Sequence, residues 1–304
     1  MQGPSNRISL TCLLAVAASA IAASAHEMPI PEPAHSVELK VLSYNVKGLP
    51  LLTDLDRLKR IGEILAERRR HGDEPDVVLL QEAFAKKSRR VRNRAGYPYA
   101  IEGVDGQKGI FDNDSGLEIL SDYPIRATYG HTFHDCAFPE CLVSKAILGA
   151  TLEIPDVPEP VQIFTTHLQA GTRNDAVRRS QIEEIAAFLD RIGFGREPAI
   201  FAGDFNFKPK HRSYFQFLRR VPMQEAGPIC LRTPWRCDIV VGRDGRTDQT
   251  DVWKTAHDRH FFFAPQGSPL RIEPVRLIRN FTQREDGGFL SDHWGYEVHY
   301  RISW

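Results

Sequence analysis

The sequence shows no excess of either charge. Its 39 lysines and arginines face 39 aspartates and glutamates, so the global field does not point to nucleic acid as a partner. The cysteines lack C-x-x-C spacing, which leaves a structural zinc knot without its usual signature. Between Val37 and Trp304 there is no low-complexity stretch, no internal repeat and no linker long enough to divide the chain. The apolar run from Ile8 to Ile21 falls short of the roughly 20 residues that a membrane-spanning helix needs.

That short run fits a different role. It follows the single charge of Arg7 and ends in the small residues Ala23-Ser24-Ala25, so residues 1–25 read as an export leader cut before His26. The expected location is secreted or periplasmic. Removing 25 of 304 residues leaves 279, enough for one large α/β domain over residues 36–304, and 38 basic against 39 acidic groups. Cys12 leaves with the leader. The remaining four cysteines fall into local pairs, Cys136 with Cys141 and Cys230 with Cys237; an oxidising compartment favours two disulfides, although four cysteines allow three connectivities.

Short apolar strands alternate with amphipathic helices along the mature chain. Val37 to Asn45 reads as a strand, and Thr53 with Asp56 predicts a helix start whose buried face is Leu55, Leu58, Ile61 and Leu65. Asp76 to Glu82 is apolar on both faces, as expected inside a layered α/β protein. Val161 to His167 and Ala199 to Asn206 repeat that design, with Ile182, Ile185, Ala186 and Leu189 on a helix between them. The last strand alternates Trp294, Tyr296, Val298, Tyr300 and Ile302 against Gly295, Glu297, His299 and Arg301.

Each of these strands ends in, or begins beside, residues able to do chemistry: Asn45, Glu82, His167, Asp204 with Asn206, and Asp292 with His293. Sheet ends hold side chains in place and leave room for a substrate. Phosphodiester hydrolysis needs a cation against phosphate charge, a base for water and help for the leaving oxygen. The three carboxylates and the amide oxygens of Asn45 and Asn206 form an all-oxygen set suited to Mg²⁺ or Mn²⁺, and the two histidines supply titrating groups. Each piece alone has an ordinary structural explanation; a turn would account for Gly203-Asp204-Phe205-Asn206 and a loop cap for Ser291-Asp292-His293. Their order and placement at successive strand ends argue for a site.

Together, Ser43-Tyr44-Asn45-Val46, Gln81-Glu82, Ser115-Gly116-Leu117 through Ser121, Thr166-His167-Leu168, Gly203-Asp204-Phe205-Asn206 and Ser291-Asp292-His293 resemble the endonuclease/exonuclease/phosphatase superfamily over nearly the whole mature chain. The resemblance implies a DNase I-like, four-layer α/β/β/α sandwich. Asn45-Val46-Lys47-Gly48-Leu49-Pro50, His167-Leu168-Gln169-Ala170 and Arg178-Arg179-Ser180-Gln181 are most similar to secreted bacterial neutral sphingomyelinases. By that resemblance Glu82 and Asn45 hold the principal Mg²⁺, while Asp204 and Asp292 serve a second ion or position the water. Asn206 binds the scissile phosphate, His293 is the general base, and His167 stabilises the transition state or assists the leaving group. Asp258 orients His293. The segment Asp258-Arg259-His260-Phe261 departs from the family pattern by a histidine where a branched apolar residue is usual, and Lys145-Ala146 stands where Lys-Gly is expected.

The expected activity is metal-dependent hydrolysis of a phospholipid headgroup by a monomer with peripheral membrane contact. A secreted DNase I-like nuclease and a catalytically silent binding module are the alternatives. Arg173, close in sequence to His167, is a candidate phosphate contact because a guanidinium can fork onto two oxygens; a surface ion pair is the other option. The run Lys86 to Arg94 reads either as a phosphate-attracting patch or as a solvated helix face. Trp235, between Cys230 and Cys237, is either a membrane-seeking aromatic or the cover of a small disulfide ring.

Overall fold

The chain runs β1 (Ser36–Asn45), α1 (Leu55–Arg70), β2 (Val77–Gln81), α2 (Ala85–Ala95), β3 (Tyr99–Glu102), β4 (Glu118–Ser121), β5 (Ile125–Thr132), β6 (Ala146–Leu152) and β7 (Val161–His167). It continues as α3 (Asp175–Arg191), β8 (Ala199–Asp204), α4 (Arg212–Arg220), β9 (Gln224–Glu225), α5 (Ala226–Arg232), β10 (Asp238–Val240), β11 (Asp258–Phe263), β12 (Arg271–Asn280), β13 (Arg284–Glu285), β14 (Gly288–Phe289) and β15 (Gly295–Ser303). This computed structural model describes residues 33–48, 54–103, 114–240, 256–285 and 288–304, without the side chains of 85–88. The leader assigned to residues 1–25, Leu49-Pro50 and Thr53 lie outside the described residues.

Two large sheets carry the fold. One has the order β10-β12-β15-β1-β2-β4-β3 and the other β5-β6-β7-β8-β11-β9. The first sheet holds two parallel pairs, β1 with β2 and β10 with β12, and the second holds one, β7 with β8. Between the sheets lie Leu39, Val41, Val77 and Leu79 from one side and Leu148, Ala150, Ile163, Ile200 and Ala202 from the other. A second apolar layer packs α3 and α4 onto β7, β8 and β11 through Ile182, Ile185, Leu189, Phe201, Phe217 and Phe261. A third packs α1 and α2 onto β1, β2 and β4 through Leu42, Leu58, Ile61, Leu65, Val78, Val91 and Leu120. Three apolar layers make four structural ones, α/β/β/α, as the resemblance implied.

β2 is buried at every residue because one face meets the second sheet and the other meets helices. α1 opens at Asp54, whose side chain accepts the Asp56 N–H at 2.9 Å; an anion there also suits the positive end of the helix dipole. The cysteines pair locally as Cys136–Cys141 and Cys230–Cys237.

The last strand departs from its sequence pattern. Glu297 and His299 alternate as polar residues yet are buried, because α1 covers that face: Arg68 grips Glu297 through Nη1 at 2.6 Å and Nη2 at 3.0 Å, and Glu297 reaches His299 Nε2 at 2.8 Å. An ion-paired network stands where alternation alone implies solvent.

His260 is buried in β11 with both ring nitrogens occupied. Nε2 donates to Tyr296 O at 3.0 Å, and the Tyr300 hydroxyl sits 3.4 Å from Nδ1. Burial pushes its pKa from 6.5 down to about 4. The native state thus keeps the ring neutral while the unfolded chain takes up a proton as pH falls through 6.5. This stability is lost as pH falls from 6.5 to 4, at about 1.4 kcal/mol per pH unit. In urea titrations across that window His260→Leu is expected to flatten the acid loss by about 3 kcal/mol; parallel acid limbs in the two proteins would refute the assignment.

Candidate active site

The parallel pairs β1–β2 and β7–β8 end at the same edge of the sandwich. Register places Asn45 beside Gln81 in one sheet, and in the other His167 beside Asp204 and Asp204 beside Asp258. Glycine allows both pairs to close tightly: a Cβ on Gly48 would sit 2.4 Å from Glu82 O, and one on Gly203 would sit 2.4 Å from Thr166 O. Below the site, Gln81 spans the sheets by donating to Thr165 Oγ1 at 3.0 Å. Lys47, Glu82 and Asn206 all adopt left-handed backbone, with φ of 51°, 54° and 52°. Such conformations cost free energy in residues with side chains and concentrate where function over-determines the geometry.

Asp204 Oδ2 is the hub. It lies 3.1 Å from Asn45 Nδ2, 3.5 Å from His167 Nε2 and 3.7 Å from His293 Nε2. Asn45 Nδ2 also donates to Glu82 Oε1 at 3.1 Å, which in turn is 3.9 Å from His167 Nε2. Asp258 Oδ2 meets His293 Nδ1 at 2.9 Å. Ser291 Oγ donates to Asn45 O at 2.7 Å, tying the loop of His293 to the end of β1. Asn45, Glu82, His167, Asp204, Asp258 and His293, drawn from both sheets, therefore converge. Asn206 joins their edge, its Nδ2 donating to Leu168 O at 2.9 Å.

Three predicted residues are placed differently from the rest. Asp292 turns outward, 56% exposed, and pairs with Lys47 Nζ at 2.8 Å. Asn45 presents its amide nitrogen to the carboxylates, while its oxygen accepts the Lys47 N–H at 3.0 Å. Arg173 is exposed on the 3-10 turn Thr172–Asn174, and no contact ties it to His167 among the described residues.

Charge is unevenly distributed. Burial raises the Glu82 carboxyl above its ordinary range, against the Asn45 hydrogen bond. Burial also works against charge on Asp204, but the adjacent His293 overrides it and holds that carboxyl low. For His293, burial opposes the cation while Asp258 and Asp204 favour it and push its pKa up to about 10. His167 goes the other way: burial and then Lys145 push it down to about 3. The acids around His293 thus favour its charged form, whereas burial keeps His167 neutral.

Lys145 was not assigned a role from sequence. Its ammonium lies 2.9 Å from His167 Nε2 and 3.2 Å from Glu140 Oε2, buried just before β6. The available signal was the Lys145-Ala146 dipeptide itself, noted as a departure from Lys-Gly.

The donors suit a hard cation. Glu82, Asp204 and Asp258 supply carboxylate oxygens, and Asp258 Oδ1 is buried without a hydrogen-bond partner among the described residues. The ligand atoms of Asp204, Asp258 and His293 lie within 4.8 Å of one another.

Residues 42–293 match the family model described as the Endonuclease/Exonuclease/phosphatase family. The chain belongs to this family. Sphingomyelinase C 2 of Leptospira interrogans is 25% identical over 237 residues, covering 70% of this chain and 37% of that relative. Tyrosyl-DNA phosphodiesterase 2 of Danio rerio is 24% identical over 269 residues, covering 85% of this chain and 65% of its own length. The chain thus spans less than two thirds of either relative. Among solved structures, Staphylococcus aureus beta toxin with bound magnesium ions superposes with a TM-score of 0.59 at 18% identity, covering 88% of this chain and 98% of the toxin. That likeness establishes the family fold in this chain.

Proposed function

We propose that residues 36–304 form an exported phosphodiesterase that uses Mg²⁺ or Mn²⁺ to hydrolyse a phospholipid headgroup. The observation that carries this is the convergence of Asn45, His167 and His293 on a single Asp204 oxygen, with Glu82 and Asp258 beside them. Glu82 and Asp204 would hold the cation, which when bound would neutralise phosphate charge and, by offsetting the carboxylates around His293, would favour the neutral ring that the base needs.

The chain's own groups do the rest. Asp258 fixes the His293 ring so that Nε2 faces the site and takes a proton from the attacking water. Asn206 keeps a second amide N–H beyond the one given to Leu168 O, and that donor binds a phosphate oxygen. The Lys145 ammonium stabilises charge that develops as the ester bond breaks, through its contact with His167.

Two exposed aromatics favour a lipid surface. Phe138, 80% exposed, sits in the Cys136–Cys141 ring that also carries the Lys145 partner Glu140, and Trp235, 75% exposed, sits in the Cys230–Cys237 ring. Export agrees with both disulfides and with the leader read at residues 1–25.

The coverage by tyrosyl-DNA phosphodiesterase 2 favours a second reading, a nucleic-acid phosphodiesterase. Against it, the described part of the basic run is partly neutralised: Arg92 pairs with Glu102 and Glu118, and Arg89 with Glu102. The deciding assay presents sphingomyelin, phosphatidylcholine, plasmid DNA and RNA to the purified protein with Mg²⁺ or EDTA. Release of phosphocholine that EDTA abolishes is the expected result. DNA or RNA cleavage without lipid turnover would install the second reading, and inactivity on every substrate would leave a binding module.

A further inference from the structure

A second group of ligand-type side chains lies on the outer side of the β5–α3 layer and shares no residue with the catalytic set. His131 near the end of β5, His134 just beyond it and Glu184 on α3 bring one ligand atom each within 4.8 Å of one another. Both rings converge on the same oxygen: His131 Nε2 is 3.0 Å and His134 Nδ1 2.7 Å from Glu184 Oε2. A lone ion pair would need only one of them.

We propose that His131, His134 and Glu184 form a binding site for Zn²⁺ or a similar borderline divalent cation. Two imidazole nitrogens and one carboxylate oxygen are a zinc-type donor set, unlike the all-oxygen ligands that suit Mg²⁺. Three protein ligands leave a fourth position for water. The supports for such a site are in place. The His134 backbone N–H donates to both Glu184 oxygens, at 3.1 and 3.2 Å, and orients the carboxylate. The His131 ring is stacked on Phe188 at 5.8 Å and meets Phe133 edge-on at 6.1 Å, which fixes its plane. His134 is 70% exposed and gives a cation its entry path, whereas His131 and Glu184 are only 19% and 17% exposed.

Binding there clamps the segment after β5 to α3. That segment already leans on the helix, with Ser180 Oγ donating to Asp135 Oδ2 at 2.5 Å and Gln181 Nε2 to Asp135 O at 2.8 Å. It then enters the Cys136–Cys141 ring and Glu140, which receives the Ala170 N–H at 2.9 Å and pairs with Lys145. The cation therefore braces the wall of the active site from behind without touching substrate.

The test is equilibrium dialysis of the tag-free protein against ZnCl₂ in excess Mg²⁺, with melting curves on the same samples. Variants are His134→Ala, Glu184→Gln and, as a control for zinc held by the catalytic carboxylates, Glu82→Gln. Wild type and Glu82→Gln are expected to hold a zinc equivalent that raises the melting temperature. His134→Ala and Glu184→Gln should lose that equivalent, with affinity at least tenfold weaker, while remaining folded. Zinc uptake by His134→Ala equal to wild type in stoichiometry and affinity, or no uptake by wild type, would overturn the site.

Discussion

His293→Ala is expected to lower phosphodiester turnover by about two to three powers of ten, the usual contribution of a positioned general base. The ring stands between two acids, Nδ1 at 2.9 Å from Asp258 and Nε2 at 3.7 Å from Asp204, so its orientation is set before any substrate arrives. Because it is only 20% exposed and not part of an apolar layer, its truncation should leave the fold intact, which a melting curve will show. The kinetic signature is a fall in kcat with KM nearly unchanged, as for a group that acts in the transition state. An unaltered rate in a folded variant would strip His293 of the role of base.

Glu82→Gln should cost at least as much for a different reason. The substitution keeps the size and the hydrogen bond from Asn45 but removes the charge proposed to hold the cation. Loss of a Lewis acid worth several kcal/mol predicts a drop of about a hundredfold or more, accompanied by a rightward shift in the Mg²⁺ concentration needed for half-maximal rate. Stability should hold or rise, since burial disfavours this carboxylate in the native state. A variant with normal activity and normal Mg²⁺ dependence would move the cation elsewhere in the site.

Much of the scaffold could be read from residue patterns. β2 is an apolar run from Val77 to Leu80 closed by Gln81 and flanked by Asp76 and Glu82, and β7 and β8 end in His167 and Asp204, so local sequence announced both the strands and the residues at their ends. Their pairing could not be read the same way. That β7 lies parallel to β8 with His167 opposite Asp204 depends on α3 crossing between them, and strand composition does not specify the register.

The buried polar groups were the harder part. Glu297 and His299 follow an amphipathic alternation that implies solvent, and only the arrival of Arg68 from α1, far away in sequence, explains their burial. Lys145 is similar, since an isolated lysine in a sequence reads as a surface charge until the fold sets it between His167 and Glu140. The His260 exception to the family pattern leaves the Asp258–His293 contact undisturbed, because Tyr296 and Tyr300 satisfy both nitrogens of its ring. The exposure of Asp292 likewise follows from Lys47, a partner that the Ser291-Asp292-His293 motif does not contain.

The first and last strands are sheet neighbours, Ser36 opposite Ser303, and the pocket lies where that seam meets the second sheet. Its groups come from the whole length of the domain: Asn45 and Glu82 from its opening, His167 and Asp204 from its middle, and Asp258 and His293 from its last third. A fragment that stops before β11 therefore holds the early carboxylates without Asp258 or the His293 imidazole, so the site closes only when both sheets are complete.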